Sequence, residues 1–383
     1  MNKSKKLLAI GAIAALGLAA CGSDDEPAAE APTTEAPDAP ADTEAPADTE
    51  APADTEAPAT ADFNVGLTYD IGGRGDQSFN DSAAEGIEAA QAELGVTATE
   101  LVPNADGSDR PELLQLQADE SDLVIAVGFL FADDVVAAAG DNPDVNFAVI
   151  DDAMLDFDNG GVSRCENCAG LTFAEEQGSF LVGAAAALKS ETNSVGFIGG
   201  VGGFGLIEKF QAGFEAGAKA VNPDIEIQSQ YITQAPDFDG FFAPDRAKEI
   251  ALSMYDGGAD IIYHAAGGSG AGLFEAAKEQ SDSSGSKVWG IGVDSDQYNT
   301  VDAAVQEFVL TSMLKRVDTA VLEITRTQAA GDFAAGNIVY DLSVDGIGYS
   351  TTGGFIDDIV DQIEDFKAQI VAGDIVVPTT PEA

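Results

Sequence analysis

From Phe63 onward the chain alternates short apolar runs with amphipathic stretches of helical period, and this alternation constrains its fold more than any other feature. The runs that read as strands are Val65–Tyr69, Leu123–Val127, Phe147–Ile150, Ser194–Ile198, Ile225–Tyr231, Ile261–His264 and Val288–Val293. Helical patterns occupy 79–94, 129–140, 175–189, 206–220, 244–256 and 270–280. Strand followed by helix at these lengths predicts parallel sheets covered by helices, because parallel neighbours need a long crossover. About 320 residues of it exceed one sheet of usual size, so two lobes are expected. In open α/β sheets a ligand sits beyond the carboxyl ends of the strands. Those ends carry Asp70, Gly128, Asp151, Gly199, Gly267 and Asp294, and two lobes facing each other would make a cleft.

The first 62 residues have a different character. Lys3, Lys5 and Lys6 precede an apolar stretch, Leu7 to Leu18, that is too short to span a bilayer. It ends Leu18-Ala19-Ala20-Cys21-Gly22, which resembles the lipobox of bacterial lipoproteins, where the cysteine thiol is acylated. Residues 1–20 therefore read as a signal peptide and Cys21 as a lipidated N-terminus. A hexad Thr-Glu-Ala-Pro-Ala-Asp repeats through 43–60, so 21–62 reads as a disordered acidic stalk with nothing to bury. The expected location is the extracytoplasmic face of the cell membrane, held by lipid alone.

Charge narrows the partners. The chain has 67 acidic and 17 basic residues, a formal net charge of −50. Residues 63–383 alone hold 54 acidic against 14 basic, so the excess is not confined to the stalk. Nucleic acid and anionic membrane surfaces need clustered Lys and Arg, and both are excluded as partners. Such a surface suits high salt, where screening relieves self-repulsion.

Gly200-Val201-Gly202-Gly203-Phe204-Gly205 fits the dinucleotide fingerprint, but the strand after it ends without the supporting acid, so a tight strand-to-helix turn is preferred. No P-loop, G-x-S-x-G elbow or H-E-x-x-H occurs. Cys165-Glu166-Asn167-Cys168 lacks further ligands for zinc and lies in a Gly-rich stretch, so a local structural disulfide is favoured over a metal or redox pair. His264, the single histidine, ends a buried-looking strand and reads as a core residue. Arg74-Gly75-Asp76 is a chance tripeptide in the first strand–helix loop. What remains is a set of rim residues. The carboxylates Asp70, Asp151 and Asp294 suit hydroxyl or N–H donors, and Phe79, Phe241 and Phe242 offer aromatic faces outside the obvious core. Rings and carboxylates together suit a flat heterocycle carrying a sugar.

Tyr69-Asp70-Ile71-Gly72-Gly73-Arg74-Gly75-Asp76-Gln77-Ser78-Phe79-Asn80 resembles the opening motif of the basic membrane protein family, the substrate-binding lipoproteins of ABC transporters related to a purine nucleoside receptor. Further stretches resemble that family in the same order. They are Val127-Gly128-Phe129, Gly170–Phe173 with Gly178–Gly183, Gly290–Gln297 and Leu310–Arg316. The resemblance implies a type I periplasmic-binding fold, with two Rossmann-like lobes, three crossovers and a ligand in the cleft. It implies a binding domain over 63–383, with lobe 1 at about 63–172 and 295–335 and lobe 2 at about 173–294 and 336–375. It also implies that Phe79 stacks on a purine against Phe241 or Phe242, the spacing leaving both open. Asp151 would read the base edge, Asp294 and Lys315 would hold the ribose, and Gly268 would offer backbone. Asp70 and Asn80 would line the first-lobe side. Arg74-Gly75 departs from the usual pattern. The expected protein is a monomeric receptor that captures a purine nucleoside for an ABC permease, with no cofactor, no metal and no catalysis. A sugar or other polar-metabolite receptor on the same fold, an exported nucleoside hydrolase, a dinucleotide-dependent oxidoreductase and a signalling receptor stand as alternatives.

Overall fold

The structure, a computed structural model, describes residues 63–382, so the signal peptide, Cys21 and the stalk lie outside the described residues. The described residues start with β1 (Asn64–Thr68), α1 (Phe79–Leu94), β2 (Thr97–Leu101), α2 (Arg110–Glu120), β3 (Leu123–Ala126) and α3 (Ala132–Asp141). Next come β4 (Asn146–Ile150), the small hairpin of β5 (Leu155–Asp156) and β6 (Val162–Ser163), and β7 (Cys168–Phe173). A second passage runs through α4 (Glu175–Lys189), β8 (Ser194–Gly202), α5 (Leu206–Val221), β9 (Glu226–Gln234), α6 (Pro244–Asp256) and β10 (Ile261–Ala265). It continues with α7 (Ala271–Ser284), β11 (Trp289–Asp294), the one-turn α8 (Gln297–Thr300) and β12 (Val309–Lys315). The chain ends with α9 (Val317–Ala330), β13 (Gly336–Tyr340), β14 (Ile347–Tyr349) and α10 (Val360–Ala372). No described helix is long and apolar enough to cross a membrane.

Two six-stranded sheets result. The first has the order β13-β7-β4-β3-β1-β2 and is parallel throughout. The second has the order β14-β12-β11-β10-β8-β9 and is parallel except for β14. Their central strands read as continuous apolar runs because both faces are covered; β3 and β8 are buried along their whole length. The chain passes between the sheets after β7, after β12 and after β13.

Those crossings correct the expected lobe boundaries. The expected boundaries put 309–315 in lobe 1 and 336–340 in lobe 2, whereas β12 pairs with β11 in the second sheet and β13 with β7 in the first. The pairing partner decides lobe membership, and no local pattern encodes it. α4 and α5 cross with almost no side chain between them: a Cβ on Gly217 would fall 1.9 Å from the Phe180 carbonyl oxygen. That close crossing fixes Glu175 and Phe210 relative to each other, and both face the region where the sheets meet.

Candidate functional site

The loop after β1 is organised by one carboxylate. Asp76 accepts backbone N–H groups from Ser78 (3.0 Å), Asn80 (2.8 Å) and Asp81 (3.1 Å), and the Asn80 side chain donates to it at 3.0 Å. It thereby satisfies amides at the start of α1 that have no partner within the helix. Burial still pushes its carboxyl up from the ordinary value, against those hydrogen bonds. Asn80 in turn accepts the Asp70 N–H at 2.9 Å and reaches the Ile71 carbonyl at 3.3 Å. The Asn80 amide is therefore spent on holding the loop. Asp70 is buried and accepts the Ile71 N–H at 2.8 Å. Burial lifts its carboxyl to about 6, with that N–H and Arg110, 3.9 Å away, opposing the rise and Asp151 and Asp76 adding to it.

A buried cation stands where the sheets meet. Lys315, at the end of β12, is 2% exposed; it donates to Asp151 Oδ2 at 2.7 Å and lies 3.4 Å from Glu175 Oε1. Burial alone would lower its pKa, but Asp151, Glu175 and Asp294 carry it up to about 12, so it stays charged. Its ammonium lies 5.0 Å from the Phe173 ring centre, 5.1 Å from Phe79 and 5.6 Å from Phe210, within cation–π range. Burial pushes the Asp151 carboxyl up, with Lys315 opposing; Oδ1 also lies 2.7 Å from the ammonium but accepts no aligned hydrogen bond among the described residues. Glu175 is held from its other side by Lys209 at 3.0 Å.

Asp294 ends β11 with φ of +65° and accepts the Ser78 hydroxyl at 2.5 Å, joining a first-lobe loop to a second-sheet strand. Burial raises its carboxyl to about 7, against Lys315 and Ser78. Gln297 Nε2 and Thr300 Oγ1 add donors to the Gln77 carbonyl across the same seam.

One cavity of about 570 Å³, its solvent-open mouth included, collects most of these groups. Asp70, Phe79, Asn80, Asp151, Phe241, Gly268, Asp294 and Lys315 all line it. Phe242 does not: it is 52% exposed, and its ring lies over Gly72 and Gly268, one from each lobe. Asp76, Phe129 and Phe210 line the cavity without having been singled out as site residues. Asp76 and Phe129 stand inside the quoted motifs, which was the available signal. Phe210 and the supporting Glu175 look like ordinary helix residues in sequence.

The alternative chemistries fare differently. In the Gly200–Gly205 segment, Gly200 to Gly202 belong to β8, and the Glu208 carboxylate accepts the Gly203 and Gly205 N–H groups, each at 2.7 Å. The amides a phosphate would need are already taken. His264 is buried with Nε2 2.7 Å from Gln297 Oε1, while Nδ1 has no partner among the described residues; burial lowers its pKa to about 4, so it is neutral near pH 7. The Cys165 and Cys168 sulfurs are bonded to each other at the entry to β7, away from the cavity lining.

The lining has four carboxylates, Asp70, Asp76, Asp151 and Asp294, against one lysine. Such a site accepts hydrogen bonds from a neutral donor-rich molecule and repels anions.

A family model described as ABC transporter substrate-binding protein PnrA-like (Bmp) matches residues 63–381. The CD4+ T-cell-stimulating antigen of Listeria monocytogenes is 38% identical over 333 residues, covering 84% of this chain and 89% of that protein. The ABC transporter nucleoside-binding protein BmpA of Lactococcus lactis is 33% identical over 330 residues, covering 83% of this chain and 90% of that one. Among solved structures, an ABC transporter solute-binding protein from Aeropyrum pernix K1 superposes with a TM-score of 0.69 at 26% identity, covering 82% of this chain and 93% of that one.

Proposed function

This chain belongs to the PnrA-like (Bmp) family of ABC transporter substrate-binding proteins, and from that premise we propose that it captures a purine nucleoside by closing two lobes around it. The carrying observation is that Phe79, Phe241, Asp294 and Lys315, drawn from separate elements, line a single cavity. The purine lies against Phe79 and Phe241. Asp151, with Oδ1 free of an aligned hydrogen bond, takes a donor on the base edge. Asp294 accepts from the ribose hydroxyls, Lys315 donates to them with the proton not directed at Asp151 or Glu175, and Gly268 offers its backbone. Asp70 and Asn80 support the first-lobe wall. Nucleotides are rejected because a phosphate would join four carboxylates in low dielectric. The receptor is monomeric, is tethered by lipid at Cys21 on the extracytoplasmic face, hands the nucleoside to an ABC permease and leaves it chemically unchanged.

The test is a binding panel on protein stripped of carried-over ligand by denaturation and refolding. It comprises adenosine, guanosine, inosine, the free bases, the nucleotides, ribose and other sugars, read by thermal shift and confirmed by calorimetry. A ligand that binds only the folded state stabilises it by RT ln(1 + [L]/Kd). A shift with a purine nucleoside and none with ribose or nucleotides is expected, with the nucleoside recovered intact. A shift with sugars alone would remove the purine and leave the fold and family; conversion of the nucleoside would point to a hydrolase.

A further inference from the structure

Four half-buried phenylalanines meet at the rim of the cleft, and they come from both lobes. Phe129 follows β3 of the first sheet, and its ring stacks on Phe204, which follows β8 of the second sheet, with centroids 4.8 Å apart and planes 25° from parallel. Phe238 buttresses both rings edge-on, at 5.9 Å from Phe129 and 6.0 Å from Phe204. Phe204 also meets Phe241 edge-on at 6.4 Å. Phe129 and Phe241 line the cavity, whereas Phe204 does not. The cluster is thus a continuous aromatic path from the ligand space to a contact between lobes.

The loop that carries Phe204 is built as a rigid arm. Gly203 and Gly205, on either side of it, have φ of +89° and +90°, a region that favours glycine. The Glu208 carboxylate locks their amides. The glycine-rich segment thus holds one aromatic ring out toward the opposite lobe. Its apolar contact also suits two strongly acidic bodies, since it does not depend on charge pairing.

We propose that Phe129 and Phe204 form an interlobe clasp that holds the cleft shut, so that ligand release requires this stack to part. It rests on the receptor reading above and adds to it the element that sets residence time. Breaking the stack should favour the open form and act mainly on the dissociation rate.

Two measurements on the whole protein test it. In stopped-flow release of whichever of adenosine, guanosine and inosine the parent binds most tightly, Phe204→Ala should raise koff about tenfold and change kon by less than about threefold, the size expected for loss of an aromatic pair. Phe204→Tyr, which keeps the ring, should release within about twofold of the parent. In small-angle scattering without ligand, Phe204→Ala should have a larger radius of gyration than the parent. An unchanged koff overturns the clasp whatever the scattering gives. If the parent binds none of adenosine, guanosine and inosine, the nucleoside reading fails, and the scattering comparison alone decides the clasp: equal radii overturn it. Should Phe204→Ala not fold, Phe204→Leu, which keeps bulk without the flat ring, takes its place in both arms with the same expected direction.

Discussion

Asp294 combines three demands on a single residue: a left-handed backbone, a buried carboxyl and a hydroxyl partner from the other lobe. Because burial raises its carboxyl to about 7, the folded state holds that proton more tightly than the unfolded chain does. The stability this contributes is fully present below about pH 4 and is lost as the pH rises through 7. Asp70, raised to about 6, has the same sign over a slightly lower window. Asp294→Asn should therefore raise the Tm of the ligand-free protein at pH 8 while leaving it nearly unchanged at pH 4. Ribose hydroxyls favour the ionised acceptor, so nucleoside affinity measured by calorimetry should be highest above pH 7 and fall by pH 5. A flat affinity across that range would put the hydroxyls elsewhere, and Asp294→Ala should abolish binding while the far-UV circular dichroism is retained. Phe79→Ala should cost about 1–3 kcal/mol of binding, the usual value for base–aromatic stacking.

Among the elements, the strand-end turns carry the site, and they depend on backbone shapes few residues tolerate. Gly128 leaves β3 with φ of +104° and ψ of +145°, and a Cβ there would fall 2.4 Å from Asp70 Oδ2. Gly128→Ala should destabilise the fold by about 1–3 kcal/mol in urea titration and weaken nucleoside binding as well, because Asp70 must move. A loss of stability with unchanged affinity would separate Asp70 from the ligand. The elements legible in sequence were those with strong apolar runs, such as β3, β4, β8 and β10, and helices with one clear apolar face, such as α5. β2 (TATEL) and α2 (RPELLQLQADE) were not, since a polar edge strand and a largely polar helix leave little periodic signal. β12 and α9 were missed too, although Leu310–Arg316 stood out as a family motif.

Across the whole molecule, two acidic lobes meet through few charged contacts among the described residues. Lys315–Asp151 is a buried interlobe ion pair, the Ser78–Asp294 hydrogen bond is a second buried contact between lobes, and the half-buried Phe129–Phe204 stack joins them at the rim. With 54 acidic against 14 basic residues over 63–383, self-repulsion should be strong at low ionic strength. Raising NaCl from about 0.1 M to about 2 M should therefore raise Tm, by scanning calorimetry, more than screening does for a charge-balanced protein of this size. A Tm indifferent to salt would mean the surface carboxylates are too dispersed to matter.

The sequence by itself determined the α/β class, the two-sheet expectation and the family, because apolar period and motif order are local properties of the chain. It also brought forward eight of the eighteen lining residues, the carboxylates Asp70, Asp151 and Asp294 from strand ends and others from the family motifs. The tertiary structure alone decided which sheet β12 and β13 join, because pairing partners are distant in sequence. It directed Phe241 into the cavity lining and Phe242 onto Gly72 and Gly268. It also brought Glu175 to Lys315 and Phe204 to Phe129, across 140 and 75 positions of chain. Contacts of that span follow from how two lobes pack, and no window of residues contains them.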